Sequence, residues 1–208
     1  MHGARKTTGL NEQEMTSQGI LFLLAGFETS ATTLSYMMHT LATHPEVQEK
    51  MYEEIMENIQ TEDNIKYDAV MQLEYLEMFV KEIMRVYTLA PLLNRVCVRD
   101  CTIKGIHFKK GQMVGIPVLA IHYDENRWKD PYKFDPERFS PENKLNIGPF
   151  DWLPFGYGPR NCIGMRMAML EAKVAVVNIL MKVKLVPCSK TKVPLPFAKS
   201  GFHVREGV

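Results

Sequence analysis

The stretch Phe155-Gly156-Tyr157-Gly158-Pro159-Arg160-Asn161-Cys162-Ile163-Gly164 governs how the other residues are read. It sets one cysteine in a Gly/Pro-rich loop. The run from there to Lys182 has no Pro or Gly after Gly164 and is apolar on most faces, which predicts a buried helix over 163–182. A thiol just ahead of a helix N-terminus has its pKa lowered, because backbone amides and the positive helix end favour the thiolate. Gly158 and Gly164 carry no side chains, so something flat or bulky can approach the backbone. Arg160, two residues before Cys162, can face an anionic group of the same ligand. The loop is not a dinucleotide fingerprint: the third glycine position holds Asn161 and no strand precedes it. A nucleophilic cysteine would want a histidine partner, and His107, His122 and His203 have no recognisable setting. On residue chemistry alone, a ligand-bearing cysteine and a structural cysteine beside a tight turn both stay open.

Upstream, residues 129–161 are dense in proline: six of the twelve prolines fall at 131, 136, 141, 149, 154 and 159. That density forbids helices and ladders. Yet Tyr132, Phe134, Phe139, Phe150, Trp152 and Phe155 are too many aromatics for a disordered linker. A long irregular segment that packs its own aromatics is usually functional. Before it, over 94–120, apolar residues punctuated by Gly105, Gly111 and Gly115 predict a small, mostly antiparallel sheet, with a short helix over 122–128. The tail from Val186 has three prolines and reads as one or two strands.

The first half reads as helical. Residues 11–43 lack Pro and loop clusters; Asn11 can cap the helix, with Glu12 and Glu14 in its first turn. Pro45 ends it and suits the first turn of a second helix to about Ile59, with Val47, Met51, Ile55 and Ile59 on one face. A polar connector over 61–66 leads to a third helix over 68–87 on a drifting apolar stripe. The fold class is therefore mainly α with a small antiparallel sheet.

Composition allows one ordinary domain. The 208 residues carry 25 Lys+Arg against 24 Asp+Glu, and 46% are hydrophobic. A net charge of +1 gives no reason to expect nucleic acid as a partner. The uncharged stretch 16–27 is too short to span a bilayer, and no secretion signal precedes it, so neither anchor nor leader is expected. Cys97 and Cys101 read as buried small hydrophobes, outside any disulfide framework.

Four motifs in order carry a resemblance. FxxGxRxCxG is matched by Phe155, Gly158, Arg160, Cys162 and Gly164; ExxR by Glu82 and Arg85; PxRF by Pro136, Arg138 and Phe139; and [AG]Gx[DE]T by Ala25, Gly26, Glu28 and Thr29. Together they resemble the cytochromes P-450. The wording AGFETS, LATHPEVQEKMYEEI, MQLEYLEM, RVC, PERFSPENKLNI and FGYGPRNCIGMR resembles the vertebrate microsomal 3A subfamily most closely. The resemblance runs from about residue 11 to about 197, and the tail from Ala198 departs from it. It covers roughly the last two-fifths of such an enzyme.

The resemblance implies a single, incomplete heme-thiolate domain over 1–208, the C-terminal portion of the family fold. Its parts would be a distal long helix (11–43), an ExxR helix (68–87), a small sheet (94–120), a meander and cysteine loop (129–161) and a proximal helix (163–182). It implies heme b with Cys162 as the iron's axial ligand, a thiolate that pushes electron density toward the metal. Arg160 and Arg95 would pair with heme propionates, Phe155 would pack near the sulfur, and Gly158, Gly164 and Ala25 would leave room for the macrocycle. Glu28 and Thr29 would be a catalytic acid–alcohol pair, with the Thr29 hydroxyl also able to bond a helix carbonyl and open a kink. Glu82, Arg85 and Arg138 would form a buried structural triad. Leu24, Phe27, Leu89, Ala90, Leu92 and Leu93 would line a pocket for a lipophilic substrate. The implied reaction is insertion of one oxygen atom of O2 into a steroid or xenobiotic. Its NADPH-derived electrons would come through NADPH-cytochrome P-450 reductase, with cytochrome b5 as a further partner. The implied location is the cytosolic face of the endoplasmic reticulum membrane. The competing expectation is a truncated, non-catalytic chain that does not retain heme and at most binds partners.

Overall fold

In the computed structural model, which describes residues 9–195, Asn11 caps the first helix from both sides. Its side-chain oxygen accepts the Glu14 N–H at 2.9 Å, and the Glu14 carboxylate accepts the Asn11 N–H at 2.9 Å. This reciprocal pair satisfies two amides that a helix start leaves without partners. Helix α1 (Glu12–Thr43) then runs unbroken for 32 residues and ends where the His44 N–H reaches the Thr40 carbonyl, directly before Pro45. Its halves differ. Thr32, Thr33, Met37, His39, Thr40 and Leu41 are buried, whereas Leu21, Phe22, Leu23, Leu24 and Phe27 are exposed. Taken whole, α1 is long and apolar enough to cross a membrane by length and composition, which the stretch 16–27 alone did not suggest.

Helix α2 (Pro45–Asn58) begins on its proline and buries Val47, Met51 and Ile55. The single helix expected over 68–87 is two: α3 (Tyr67–Gln72) and α4 (Glu74–Val86), with Leu73 extended between them at ψ 105°. The break is made by tertiary structure. Glu54 of α2 turns its carboxylate onto the start of α4, accepting the Tyr75 N–H at 2.7 Å and the Leu76 N–H at 3.0 Å. A carboxylate there satisfies orphan amides and complements the positive helix end, so a new N-terminus forms without Gly or Pro.

The expected sheet over 94–120 is two separate antiparallel ribbons. β1 (Leu93–Val96) pairs with β4 (Met113–Ile116), and β2 (Cys101–Ile103) pairs with β3 (Ile106–Phe108). The β2–β3 turn is Lys104-Gly105, at φ 48° and 81°, the left-handed pair that a two-residue hairpin needs. Pro117, without an amide for a ladder, ends β4. Val118 therefore opens helix α5 (Val118–His122) instead of extending the sheet. The short helix expected over 122–128 thus lies earlier, with His122 as its last residue. After it the Asp124 carboxylate accepts the Asn126 N–H at 2.9 Å and turns the chain. Cys97 and Cys101, read as buried, are both partly exposed.

Residues 129–161 hold only two short 3₁₀ turns, Pro136–Phe139 and Asn143–Asn146. Helix α6 (Met165–Leu180) is buried at Ala172, Lys173, Val176, Val177 and Leu180; its first half is not, and Met167 is exposed. Helix α6, expected as a buried helix over 163–182, is therefore buried along its second half only, where it meets α1, α3 and α4. Met37, Leu41, Ile55, Phe79, Val80 and Val176 belong to the common core. Among the described residues no strand follows α6, in place of those expected from Val186. The tail from Ala198, expected to depart from the resemblance, lies outside the described residues.

Candidate functional site

Glu82 and Arg85 lie three apart on α4 and are both fully buried. Arg85 grips the carboxylate with both prongs of its fork, Nε to Oε2 at 2.7 Å and Nη2 to Oε1 at 2.8 Å. Arg138 Nε donates to the same Oε1 at 3.3 Å, and the Asp135 amide does so at 2.9 Å. The structure thus brings Glu82, Arg85 and Arg138 together. Two guanidinium charges face one carboxylate, and the excess is dispersed over backbone carbonyls. Arg85 donates to those of His122 (2.8 Å), Pro131 (2.9 Å) and Lys133 (3.4 Å). Arg138 donates to those of Lys129, Asp130 (2.7 Å) and Lys133 (3.2 Å). The proline-rich segment has no ladder to use up its carbonyls, so these arginines supply its donors.

His122 is the functional residue that sequence reasoning missed. It is fully buried, and its Nε2 accepts the Leu153 N–H at 2.9 Å. That contact puts the ring proton on Nδ1, which donates to the Arg85 carbonyl at 3.1 Å. Burial, with the Arg85 charge, outweighs that hydrogen bond and pushes the imidazole down to about 4. The ring therefore clamps α4 to the residues just before the cysteine loop as a neutral group. Trp152 adds a second clamp, its indole N–H donating to the Lys81 carbonyl at 3.1 Å. A tilted contact joins Trp128 to Phe139 (5.8 Å), and edge contacts join Phe139 to Trp152 (5.8 Å) and Trp152 to Phe155 (6.3 Å). These four rings form one chain of contacts leading to the loop, whereas Tyr132, Phe134 and Phe150 pair with other rings.

The loop closes on itself. The Cys162 N–H reaches the Phe155 carbonyl at 2.8 Å, and the Gly156 N–H reaches Leu153 at 3.0 Å. Gly156 and Gly158 sit at φ 71° and 81°, where a side chain would be strained. A Cβ on Gly158 would meet nothing within 4 Å, and one on Gly164 would lie 3.9 Å from the Cys162 sulfur. Cys162 is exposed. Phe155 is partly buried and packs against the core. Leu93 of β1 lies against the loop, 3.5 Å from where a Gly156 Cβ would stand. Arg95, also on β1, donates to the Asn94 carbonyl at 2.9 Å. Arg160 is exposed, and neither arginine has a carboxylate partner among the described residues.

On α1, the Thr29 hydroxyl donates to the Ala25 carbonyl at 2.7 Å, and the helix continues through it without a break. Glu28 and Thr29 are half-buried. The next residue, Ser30, bonds Glu171 of α6 at 3.0 Å, tying the acid–alcohol turn to the helix that follows the cysteine. Leu24 and Phe27 are exposed at 67% and 75%. Leu89 and Ala90 are half-buried in the turn after α4, and Leu92 is exposed. Of the six residues expected to line a pocket, Leu93 is the one this geometry joins to the loop.

These donors suit one kind of ligand. An accessible thiol, side-chain-free space over Gly158, two guanidinium groups without a carboxylate partner among the described residues and exposed apolar side chains on α1 fit a flat, apolar group bearing carboxylates. Heme is such a group.

Comparison with known proteins gives the same answer. The cytochrome P450 family model matches residues 1–207, which takes in the tail from Ala198 as well. Cytochrome P450 3A11 of Mus musculus is 44% identical over 192 residues, covering 92% of this chain and 38% of that protein. Cytochrome P450 3A1 of Rattus norvegicus is 44% identical over 194 residues, covering 93% and 38%. Cytochrome P450 3A18, also of Rattus norvegicus, is 41% identical over 205 residues, covering 99% and 41%. The chain thus spans about two-fifths of the length of these curated relatives.

Proposed function

We propose, on the premise that the chain belongs to the cytochrome P450 family, that it is the heme-thiolate portion of a monooxygenase. The substrates would be lipophilic, steroids or xenobiotics, and one oxygen atom of O2 would be inserted. Electrons from NADPH would arrive through a reductase, with cytochrome b5 as an auxiliary donor. The site of action would be the endoplasmic reticulum membrane, on its cytosolic face. The observation that carries this reading is the exposed Cys162 thiol, held in a self-closed loop and flanked by glycines.

Heme b, when bound, would supply the activation of dioxygen. The chain's own residues do the rest. Cys162 would hold the heme iron through its sulfur, on a stretch of backbone fixed by the bond from its amide to the Phe155 carbonyl. Arg95 and Arg160 would pair with the propionates through their planar forks. Phe155, half-buried beside the sulfur's turn, limits water there. Thr29 donates its O–H to the Ala25 carbonyl, so its oxygen is left to accept a hydrogen bond and hold a water, with Glu28 as the neighbouring acid. Glu82, Arg85, Arg138 and His122 do not touch the ligand; they hold the loop in place. Residues 1–208 form one domain in this reading, and Leu24, Phe27, Leu89, Ala90, Leu92 and Leu93 contribute apolar surface to the substrate.

The bare face of α1 favours a second reading, in which this chain by itself does not retain heme and at most binds partners. One spectrum separates the two. The purified chain is supplemented with heme, reduced and exposed to carbon monoxide. The first reading expects the red-shifted Soret band of a thiolate-ligated heme, lost in Cys162→Ala. Absence of the band after supplementation establishes the second. Steroid turnover with added reductase then tests the reaction itself.

A further inference from the structure

Two cysteines outside the proposed heme site lie within reach of each other. The sulfurs of Cys97 and Cys101 are 3.8 Å apart, and both residues are partly exposed. Their backbones belong to different ribbons. Cys97 extends the β1–β4 ladder, its amide donating to the Gln112 carbonyl at 2.9 Å and its carbonyl accepting the Gly111 N–H at 2.7 Å. Cys101 opens β2, in register with Phe108. The connecting turn is held by the Asp100 carboxylate, which accepts the Lys110 N–H at 2.7 Å. The approach of the sulfurs is therefore set by two ladders and a pinned turn. A disulfide needs about 2.05 Å between sulfurs, so closure is about 1.8 Å, within the reach of small rotations about the side-chain bonds. Among the described residues no third His, Cys, Asp or Glu joins the pair, which argues against a metal. Cys188 has a hydroxyl near its sulfur, that of Thr191 at 3.6 Å, and no second thiol.

We infer that Cys97 and Cys101 form a reversible disulfide that staples the two ribbons at their junction. The oxidant is hydrogen peroxide, and the atoms balance. One thiolate takes an oxygen from the peroxide, whose O–O bond breaks to release hydroxide, leaving a sulfenic acid. The second sulfur attacks that sulfur, forming the S–S bond and releasing the oxygen as water. Two thiols lose their hydrogens, and one peroxide becomes two waters. The hydrogen bond with Cys97, then burial and the Asp100 charge, hold the Cys101 thiol above its ordinary value. The bond that Cys97 Sγ donates to the Arg99 carbonyl at 2.9 Å is given up on oxidation. The staple leaves β1, which carries Arg95, unable to part from β2. This inference stands on the thiol pair alone and does not require heme.

The test uses the intact chain. It is treated with hydrogen peroxide, its free thiols are alkylated, and it is digested without reductant. The expected product is a Cys97–Cys101 peptide lighter by two hydrogens, with Cys188 recovered alkylated, and dithiothreitol restores both thiols. In Cys101→Ser, Cys97 should instead be captured by dimedone as a sulfenic acid. The inference is overturned if Cys97 and Cys101 alkylate to the same extent as Cys188 after peroxide. It is equally overturned if either links to Cys162 or Cys188, or if Cys97 passes to sulfinic acid with Cys101 still free.

Discussion

Protonating His122 should destabilise the chain, and the size of the effect can be worked out. The ring is fully buried and already receives the Leu153 N–H on Nε2, so a second ring proton has nowhere to bond. It would also add charge beside Arg85. The imidazole is therefore pushed from 6.5 to about 4 in the folded chain. Because the folded value lies below the unfolded one, the unfolded chain binds the extra proton between these limits. The stabilisation is complete above about pH 6.5 and is lost as pH falls toward 4. The full shift corresponds to roughly 3 kcal/mol, of which about 2 kcal/mol disappears between pH 7 and pH 5. The assay is urea unfolding followed by far-ultraviolet circular dichroism at pH 7, 6 and 5, for the wild-type chain and His122→Asn. The amide keeps a donor for the Arg85 carbonyl but does not titrate. Carboxylates common to both proteins cancel in the difference. The variant should be less stable at pH 7, and the gap should narrow by about 2 kcal/mol at pH 5. Parallel pH profiles for the two proteins would refute the reasoning.

Three further outcomes follow from buried charge and capping. Glu82→Gln removes the one carboxylate under Arg85 and Arg138 and should destabilise by about 3–5 kcal/mol in the same urea assay; a loss under about 1 kcal/mol would mean that the backbone carbonyls suffice. Lys173 is fully buried with its ammonium 2.6 Å from Glu77, which Lys81 also holds at 2.8 Å. Burial raises the Glu77 carboxyl, but hydrogen bonds from the two lysines outweigh it and leave it below its ordinary value. Lys173→Met should therefore change stability by less than about 1 kcal/mol, whereas Glu77→Gln strands the ammonium and should lose more than about 2 kcal/mol; equal effects would contradict this ordering. Glu54→Gln weakens the cap on α4 and should lose about 0.5–2 kcal/mol, with faster amide exchange at Tyr75 and Leu76 as its local signature.

What the sequence revealed depended on where each signal lay. The start of α1 was legible because Asn11 and Glu14 cap each other locally, and its end because Pro45 acts on its own neighbour. The break at Leu73 was not, since no breaker stands there and the capping carboxylate comes from Glu54, some twenty positions away. Residue chemistry alone left Cys162 ambiguous; only the joint resemblance of four motifs gave it a role. Glu82, Arg85 and Arg138 could be named from those motifs. The carbonyls that complete their bonding could not, because they belong to backbone and leave no letter in the sequence. His122 was invisible for the same reason: both its partners, the Arg85 carbonyl and the Leu153 amide, are main chain.

Bonding through main-chain oxygens decides which substitutions the meander can absorb. Arg85 and Arg138 address residues 129, 130, 131 and 133 through carbonyl oxygens, which every amino acid presents alike. The spelling at exposed Lys129 and Lys133 is therefore open, while the path of the chain is not. Drift along this segment would be silent in stability so long as its length and prolines keep the oxygens on station. One inserted residue would be felt where many exchanged ones are not.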